Sequence, residues 1–287
     1  MMLSFMLKNF INYIMQNKNI LIITPFFAPE THAAVFRAHK LVKYLKREGW
    51  SPIVITVNIN YNYNEDSKLL EDLIGVEIHR TTYIEPSLRG LYMWVTGKDR
   101  TFKTLKAQGV FSKKTESNTH LQKSKISLKQ KVYNYLIEHR LNVPDRFWTW
   151  EKSAVKKANQ LIKEHNIRFV YTTMPPFTTG KIGLKIKKQS PSTKWIADFR
   201  DPLTTVLKNH SSIKRVHNYQ INIEKQVLKK SDLIITASQA HNLIINDSNN
   251  GIYSEKIKFI PTGLDNDLLP NNTFEKEDYI VDRKSVV

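Results

Sequence analysis

The sequence contains no cysteine among its 287 residues. That excludes disulfide staples and thiolate chemistry, and it suits a reducing compartment. Acidic residues are scarce beside basic ones: 26 Asp and Glu against 44 Lys and Arg leave a formal net charge of +18. A field of that sign favours anionic partners such as nucleic acid, acidic membrane or phosphorylated ligands. Much of the excess lies between Lys98 and Arg140, where Lys103, Lys106, Lys113, Lys114, Lys123, Lys125, Lys129 and Lys131 meet few acids. This stretch is either a solvated lysine-rich surface or a binding patch. No run approaches the roughly 18 continuous apolar residues of a membrane span. The histidines offer neither H-E-x-x-H nor any paired-ligand spacing, so no metal pattern is present.

What is there is an ordinary globular composition, with 41% apolar residues and length enough to bury a full core. The opening stretch, 1–18, reads as an extension. Its apolar run Met1–Met15 is broken by Lys8, Asn9 and Asn12 and lacks the basic leader and cleavage site of a secretory signal. Met15 is an alternative start, and a short amphipathic helix on a membrane surface is a third reading. At the other end, Asp282-Arg283-Lys284-Ser285-Val286-Val287 reads as the translation of a sequencing-adapter oligonucleotide. The tail 282–287 is therefore expected to be non-native, with the natural chain continuing past about Ile280.

Between these ends, short apolar strands alternate with amphipathic helices. Asn19–Thr24, Pro52–Val57, Gly75–His79, Arg168–Thr172, Lys194–Ala197, Asp232–Thr236 and Lys256–Ile260 have the β-branched, apolar character of buried parallel strands. Val35, Ala38, Leu41, Val42 and Leu45 recur at helical steps up to Gly49. Further helices are expected at about Phe147–His165, Pro176–Lys188 and Ile213–Lys230. A polar, basic excursion over about 83–142 interrupts the rhythm, with a helix expected near Ser127–His139. The pattern predicts a doubly wound α/β fold: a mostly parallel, Rossmann-like sheet with helices on both faces.

In such sheets ligands bind beyond the carboxyl ends of the strands. After the first strand, Thr24-Pro25-Phe26-Phe27-Ala28-Pro29 forms a stiff loop without the G-x-G-x-x-G of a dinucleotide site. His32 opens the next helix, as a cap, a surface group or a cleft residue. Arg37, one to two turns in, makes either a surface ion pair or a cleft contact. After the fourth strand, Thr173-Met174-Pro175-Pro176-Phe177 leads into a helix whose first amides, those of Phe177, Thr178 and Thr179, offer an anion site or simply a stiff turn. After the fifth strand come Asp198, Arg200 and Asp201, which suit hydroxyl or phosphate binding. Helix capping by Asp201 before Pro202 is the alternative.

Taken in order, these segments resemble the N-terminal domain of GT-B-fold glycosyltransferases of family 4. The resemblance rests on His32 to Leu45 with Gly49 to Thr56, on Val143-Pro144-Asp145-Arg146-Phe147-Trp148-Thr149-Trp150, and on Thr173 to Phe177 with Ala197 to Pro202. Ser231 to Ser238 and Ile260-Pro261-Thr262-Gly263-Leu264-Asp265 complete it. It runs from about Asn19 to Asp265 and leaves the basic insertion unmatched. The acceptor-side domain is thus placed at 19–265, with an interdomain crossover beginning at 266–281.

The resemblance implies transfer of a sugar from a UDP- or GDP-sugar to an acceptor hydroxyl, with retention and without a metal, in bacterial cell-surface polysaccharide or glycolipid synthesis. It implies a cytoplasmic enzyme, peripheral at the inner face of the membrane, with a glycan or lipid-linked acceptor. On this view Phe26, Phe27, His32, Arg37, Thr173, Pro175, Pro176, Phe177, Asp198, Arg200 and Asp201 line the cleft. The family's arginine, lysine and paired glutamates belong to a second domain, so the fragment is expected to bind no cofactor and to be inactive alone. His32-Ala33-Ala34 also stands where many members carry glycines, which bears on how closely a donor phosphate can approach. Two other readings remain. One is a nucleic-acid-binding module using the lysine-rich insertion, and the other a stand-alone Rossmann enzyme for a small molecule.

Overall fold

A computed structural model describes residues 18–31, 33–58, 66–87, 142–201 and 213–263. Seven strands form one sheet: β1 (Asn19–Ile23), β2 (Ser51–Val57), β3 (Glu77–Thr81), β4 (Phe169–Met174), β5 (Lys194–Phe199), β6 (Leu233–Thr236) and β7 (Ile257–Phe259). Their order is β3-β2-β1-β4-β5-β6-β7, and every pair is parallel. The doubly wound α/β architecture is therefore established, and the described sheet is parallel throughout. Strand order reverses between β1 and β4, which makes their carboxyl ends the natural crevice.

Side-chain alternation divides the core in two. Leu21 and Ile23 of β1 join Ile53 and Ile55 on one face, while Ile20 and Ile22 join Val54 on the other. The first face is covered by α3 (Glu151–Glu164), α4 (Phe177–Gln189) and α5 (Lys214–Lys230), through Ala154, Ile182 and Ile223. The second receives Ala38 and Val42 of α1 (Ala33–Arg47) and Leu73, which follows the short α2 (Lys68–Glu71). α6 (Gln239–Ser248) contributes Ile245 to the first face and begins at Ser238, whose side chain accepts from the His241 amide. Each large apolar side chain so buried contributes about 1.5–3 kcal/mol.

Several boundaries differ from the sequence reading, each for a physical reason. β4 and β5 run two residues further than expected because Thr173 and Met174 pair with Asp198 and Phe199, which in turn pair with Ile235 and Thr236. β3 begins two residues later because Gly75, at φ +81°, is still turning. The expected helix from Phe147 opens instead with a 3-10 turn, Trp148–Trp150, before α3. Pro176 is the extended residue before α4 rather than its first helical residue. Tyr83, expected to begin the excursion, is 1% exposed and packs 5.2 Å from Phe147. The expected helix near Ser127–His139 lies outside the described residues.

Two close fits set testable limits. Gly183 of α4 lies under the buried Trp195 ring, where any Cβ would overlap Cε2 and Cζ2 of the indole. Trp195 is fixed there because its Nε1 donates to Thr172 Oγ1 at 2.9 Å. Gly183→Ala is expected to destabilise the fold by about 1–3 kcal/mol through overpacking, measured by denaturant unfolding.

Glu151, at the start of α3, pairs with Lys181 at 2.7 Å and with Lys185, both on α4. Burial alone would raise its pKa, but the bonds and charges of the two lysines outweigh that and lower it. A lowered folded pKa contributes stability that is present above the unfolded value and lost as pH falls through the folded one. Stability should therefore decline as pH drops below about 4.5. Glu151→Gln should flatten the decline, as followed by thermal unfolding between neutral and acidic pH.

Candidate functional site

The carboxyl edge of the sheet is where loops after successive strands converge. Phe26 follows β1, Pro175 and Pro176 follow β4, Arg200 and Asp201 follow β5, Ala237 follows β6 and Thr262 follows β7. Together with Arg37 of α1, Phe177 of α4 and the segment Asp145-Arg146-Phe147, they enclose a cleft of about 610 Å³. It sits at the topological switch point, where an open parallel sheet leaves room between diverging loops.

Beneath this cleft lies a buried ion pair. Asp198, the penultimate residue of β5, is 0% exposed. Its carboxylate accepts from Arg37 Nε at 2.8 Å and from Arg37 Nη2 at 2.7 Å in a two-point fork. The hydroxyl of Tyr171 donates to it at 2.5 Å and that of Thr173 at 3.1 Å. Arg37 Nη1 reaches on to Thr262 Oγ1 at 3.1 Å. Burial works against the Arg37 cation, yet the bonds and attraction of Asp198 raise its pKa. Burial, then the Asp198 charge, hold the Tyr171 phenol well above its ordinary value, so it remains a donor.

A second carboxylate meets the start of α4. Asp145 Oδ2 accepts from the Thr178 amide at 2.8 Å, and Oδ1 accepts from the Thr178 hydroxyl and the Phe147 amide, each at 2.8 Å. Withdrawal from water raises the Asp145 carboxyl pKa, and these donors and Lys181 pull against the rise. The helix-start amides, read as an anion site or a stiff turn, are thus partly taken. The Thr178 amide is held by Asp145, and the Thr179 amide donates to the Pro176 carbonyl at 3.2 Å.

The upper wall is aromatic and cationic. Phe26 stands edge-on to Phe147 with centroids 5.3 Å apart. The Arg200 guanidinium lies 5.9 Å from the Phe26 centroid, and that of Arg146 lies 4.9 Å from the Phe147 centroid. The Arg200 amide donates to the Met174 carbonyl at 2.8 Å, and its Nη2 donates to the Pro175 carbonyl. The loop after β5 is thereby tied to the loop after β4.

Of the residues singled out in the sequence, Phe26, Arg37, Pro175, Pro176, Phe177, Arg200 and Asp201 line the cleft together. Phe27 does not. It points into the core at 1% exposure, 6.5 Å from the His39 ring, because successive side chains of the loop face opposite ways. Thr173 and Asp198 lie beneath the cleft, each committed to the buried network rather than to a ligand. His32 lies outside the described residues. Sequence reasoning missed Asp145, Arg146 and Phe147 as lining residues, although a Pro-Asp-Arg-Phe segment re-entering the sheet was itself a signal. It also missed Ala33, Ala34, Ala237 and Thr262, whose small or neutral side chains announce nothing.

A smaller recess of about 210 Å³ shares Arg37 and Thr262 with the cleft and is otherwise lined by residues such as Leu41, Tyr44, Ile235 and Ile260. Among the described residues no helix is long and apolar enough to cross a membrane.

Removing one partner of a buried pair leaves the other charge uncompensated. Asp198→Asn should cost about 3–5 kcal/mol of folding free energy. The loss in an Arg37→Met/Asp198→Asn double variant should be smaller than the sum of the two single losses. An Asp198→Asn variant as stable as the parent in denaturant would show that the pair does not carry the fold.

No family model matches the sequence, and no curated protein matches it. Among solved structures, the chain is similar to the catalytic domain of starch synthase IV from Arabidopsis thaliana, bound to ADP and acarbose. The identity is 13% over 87% of this chain and 52% of that one, with a TM-score of 0.47. It is also similar to UGT73P12 of Glycyrrhiza uralensis, complexed with glycyrrhetinic acid 3-O-monoglucuronide, at 9% identity over 85% of this chain and 48% of that one, TM-score 0.39. The chain spans about half the length of these structures.

Proposed function

We propose that this chain is the acceptor-side, Rossmann-like half of a GT-B-type glycosyltransferase, its domain spanning 19–265 with the basic insertion at about 83–142. The parent enzyme transfers a sugar, with retention, from a UDP- or GDP-sugar to an acceptor hydroxyl in bacterial cell-surface polysaccharide or glycolipid synthesis. It works in the cytoplasm at the inner face of the membrane, where a basic surface suits anionic lipid.

The observation that carries this reading is the composition of the cleft at the switch point. Phe26, partly buried and braced edge-on by the buried Phe147, is an apolar ring of the kind that packs against the C–H face of a sugar. Arg200 and Asp201 stand beside them as donor and acceptor for hydroxyls. Ala33 and Ala34 at the start of α1 line another wall. The network below, anchored on Asp198, holds these loops at fixed separations, which is the positioning on which transfer between two bound substrates depends. Stabilising the departing diphosphate needs cationic donors opposite the cleft. In the family resembled they sit on a second domain, so turnover belongs to the parent enzyme and acceptor binding to the cleft described above.

The test is the product of the complete locus. Purified and supplied with UDP- or GDP-sugars, it should release nucleoside diphosphate in the presence of acceptor glycans, and Phe26→Ala should lower kcat/KM by about tenfold or more. A complete product that consumes no nucleotide sugar would sink the reading. Steeply salt-dependent affinity for generic DNA or RNA in its place would point to the lysine-rich insertion as a nucleic-acid module.

A further inference from the structure

The guanidinium groups around the cleft differ in what neutralises them. Arg37 is matched by Asp198 in a two-point fork. Arg146 is exposed to water over the Phe147 ring. Arg200 has no such fork and is half-buried beside Phe26. Burial pushes its pKa below the ordinary value, with the charges of Asp201 and Asp198 acting the other way. Its Nη2 donates to the Pro175 carbonyl, while its Nε is buried and has no hydrogen-bond partner among the described residues.

Two of the carboxylates at the cleft are spoken for. Asp198 is taken by Arg37, Tyr171 and Thr173, and Asp145 by Thr178 and Phe147. Asp201, the next residue, is exposed and makes no ion pair with Arg200 among the described residues. A half-buried cation with no carboxylate bonded to it gains from an anion that arrives in the cleft it lines. Neutral hydroxyls leave the charge unmet. A carboxylate or phosphate meets it, and guanidinium is the side chain whose geometry fits them.

We propose that Arg200 is the receptor for an anionic substituent of the acceptor, so that the acceptor is a sugar carrying a carboxylate or a phosphate on the ring that lies against Phe26. The identification of the ligand as an acceptor rests on the glycosyl-transfer reading above; the preference for an anion rests on Arg200 alone. The guanidinium lies over the Phe26 ring, 5.9 Å from its centroid, so a sugar packed against the open edge of that ring places its exocyclic substituent beside the charge. Arg146, on the other aromatic ring, adds to the attraction at the rim.

The test is ligand-observed NMR titration of the full 287-residue chain with glucose, glucuronate and glucose 6-phosphate. At least one of the two charged sugars should bind about tenfold more tightly than glucose, the margin expected of a charge-assisted hydrogen bond. The preference should weaken with added salt. Which charged sugar wins identifies carboxylate or phosphate as the group. Arg200→Gln should abolish the preference. Arg200→Lys, which keeps the charge without the fork, should retain part of it; thermal unfolding checks that each variant is folded, and the Lys variant carries the test if the Gln variant is not. Equal binding of charged and neutral sugars, no detectable binding of either charged sugar, or an undiminished preference in the Gln or Lys variant would overturn the proposal. A complete locus product that turns over nucleotide sugar without such a preference would refute this inference alone. A preference abolished by Arg200→Gln in a product with no turnover would refute only the transfer reading.

Discussion

The fork between Arg37 and Asp198 is the constraint on which the carboxyl edge of the sheet depends. A carboxylate in an interior strand of a parallel sheet is among the least comfortable placements a chain can make. It is tolerable only because four donors converge on it: two from Arg37 and one each from Tyr171 and Thr173. Those donors come from α1 and β4, and Arg37 also reaches the loop after β7. One charged group therefore joins three parts of the chain that are far apart in sequence. The loops above it inherit their spacing from this joint rather than from their own sequences.

A similar economy operates at the start of α4. Asp145 returns from a distant part of the chain to hold the Thr178 amide and hydroxyl, while Arg200 ties its own loop to Met174 and Pro175. The cleft is thus framed by polar contacts within the chain. What it offers a ligand is the partly buried Phe26 ring, the Arg146 and Arg200 guanidiniums and the Asp201 carboxylate. Recognition falls to them because Asp145 and Asp198 are occupied in holding the frame.

Much of the fold was legible because strands buried on both faces read as short β-branched runs, and helices between them read by period. Asn19–Ile23 and Ser51–Val57 announced themselves in this way. The far end of β5 did not, since Asp198 looks like the beginning of a loop in any local reading. Only backbone pairing with Thr173 and Ile235 makes it a strand residue. The same limit explains Phe26 and Phe27. They are adjacent and chemically identical, yet one lines the cleft and the other fills the core, a choice set by which way the loop leaves β1. Asp145 was visible as part of a segment re-entering the sheet, but its role as the carboxylate at a helix start depends on a contact across 33 residues.

The stem of the basic excursion has a consequence for how such a chain can change over evolutionary time. Thr149 Oγ1 donates to the Ile84 carbonyl at 2.5 Å, Ser153 Oγ to the Thr82 carbonyl at 2.6 Å, and Trp150 Nε1 to Thr81 Oγ1 at 2.7 Å. Tyr83 and Phe147 pack together at the same junction. The two sides are therefore stitched to each other below whatever lies between them. Lengthening a connection whose ends are already held together costs only logarithmically in its length. Residues can be gained or lost beyond this seam, and their charge altered, while Phe147 and the cleft beside it stay where they are.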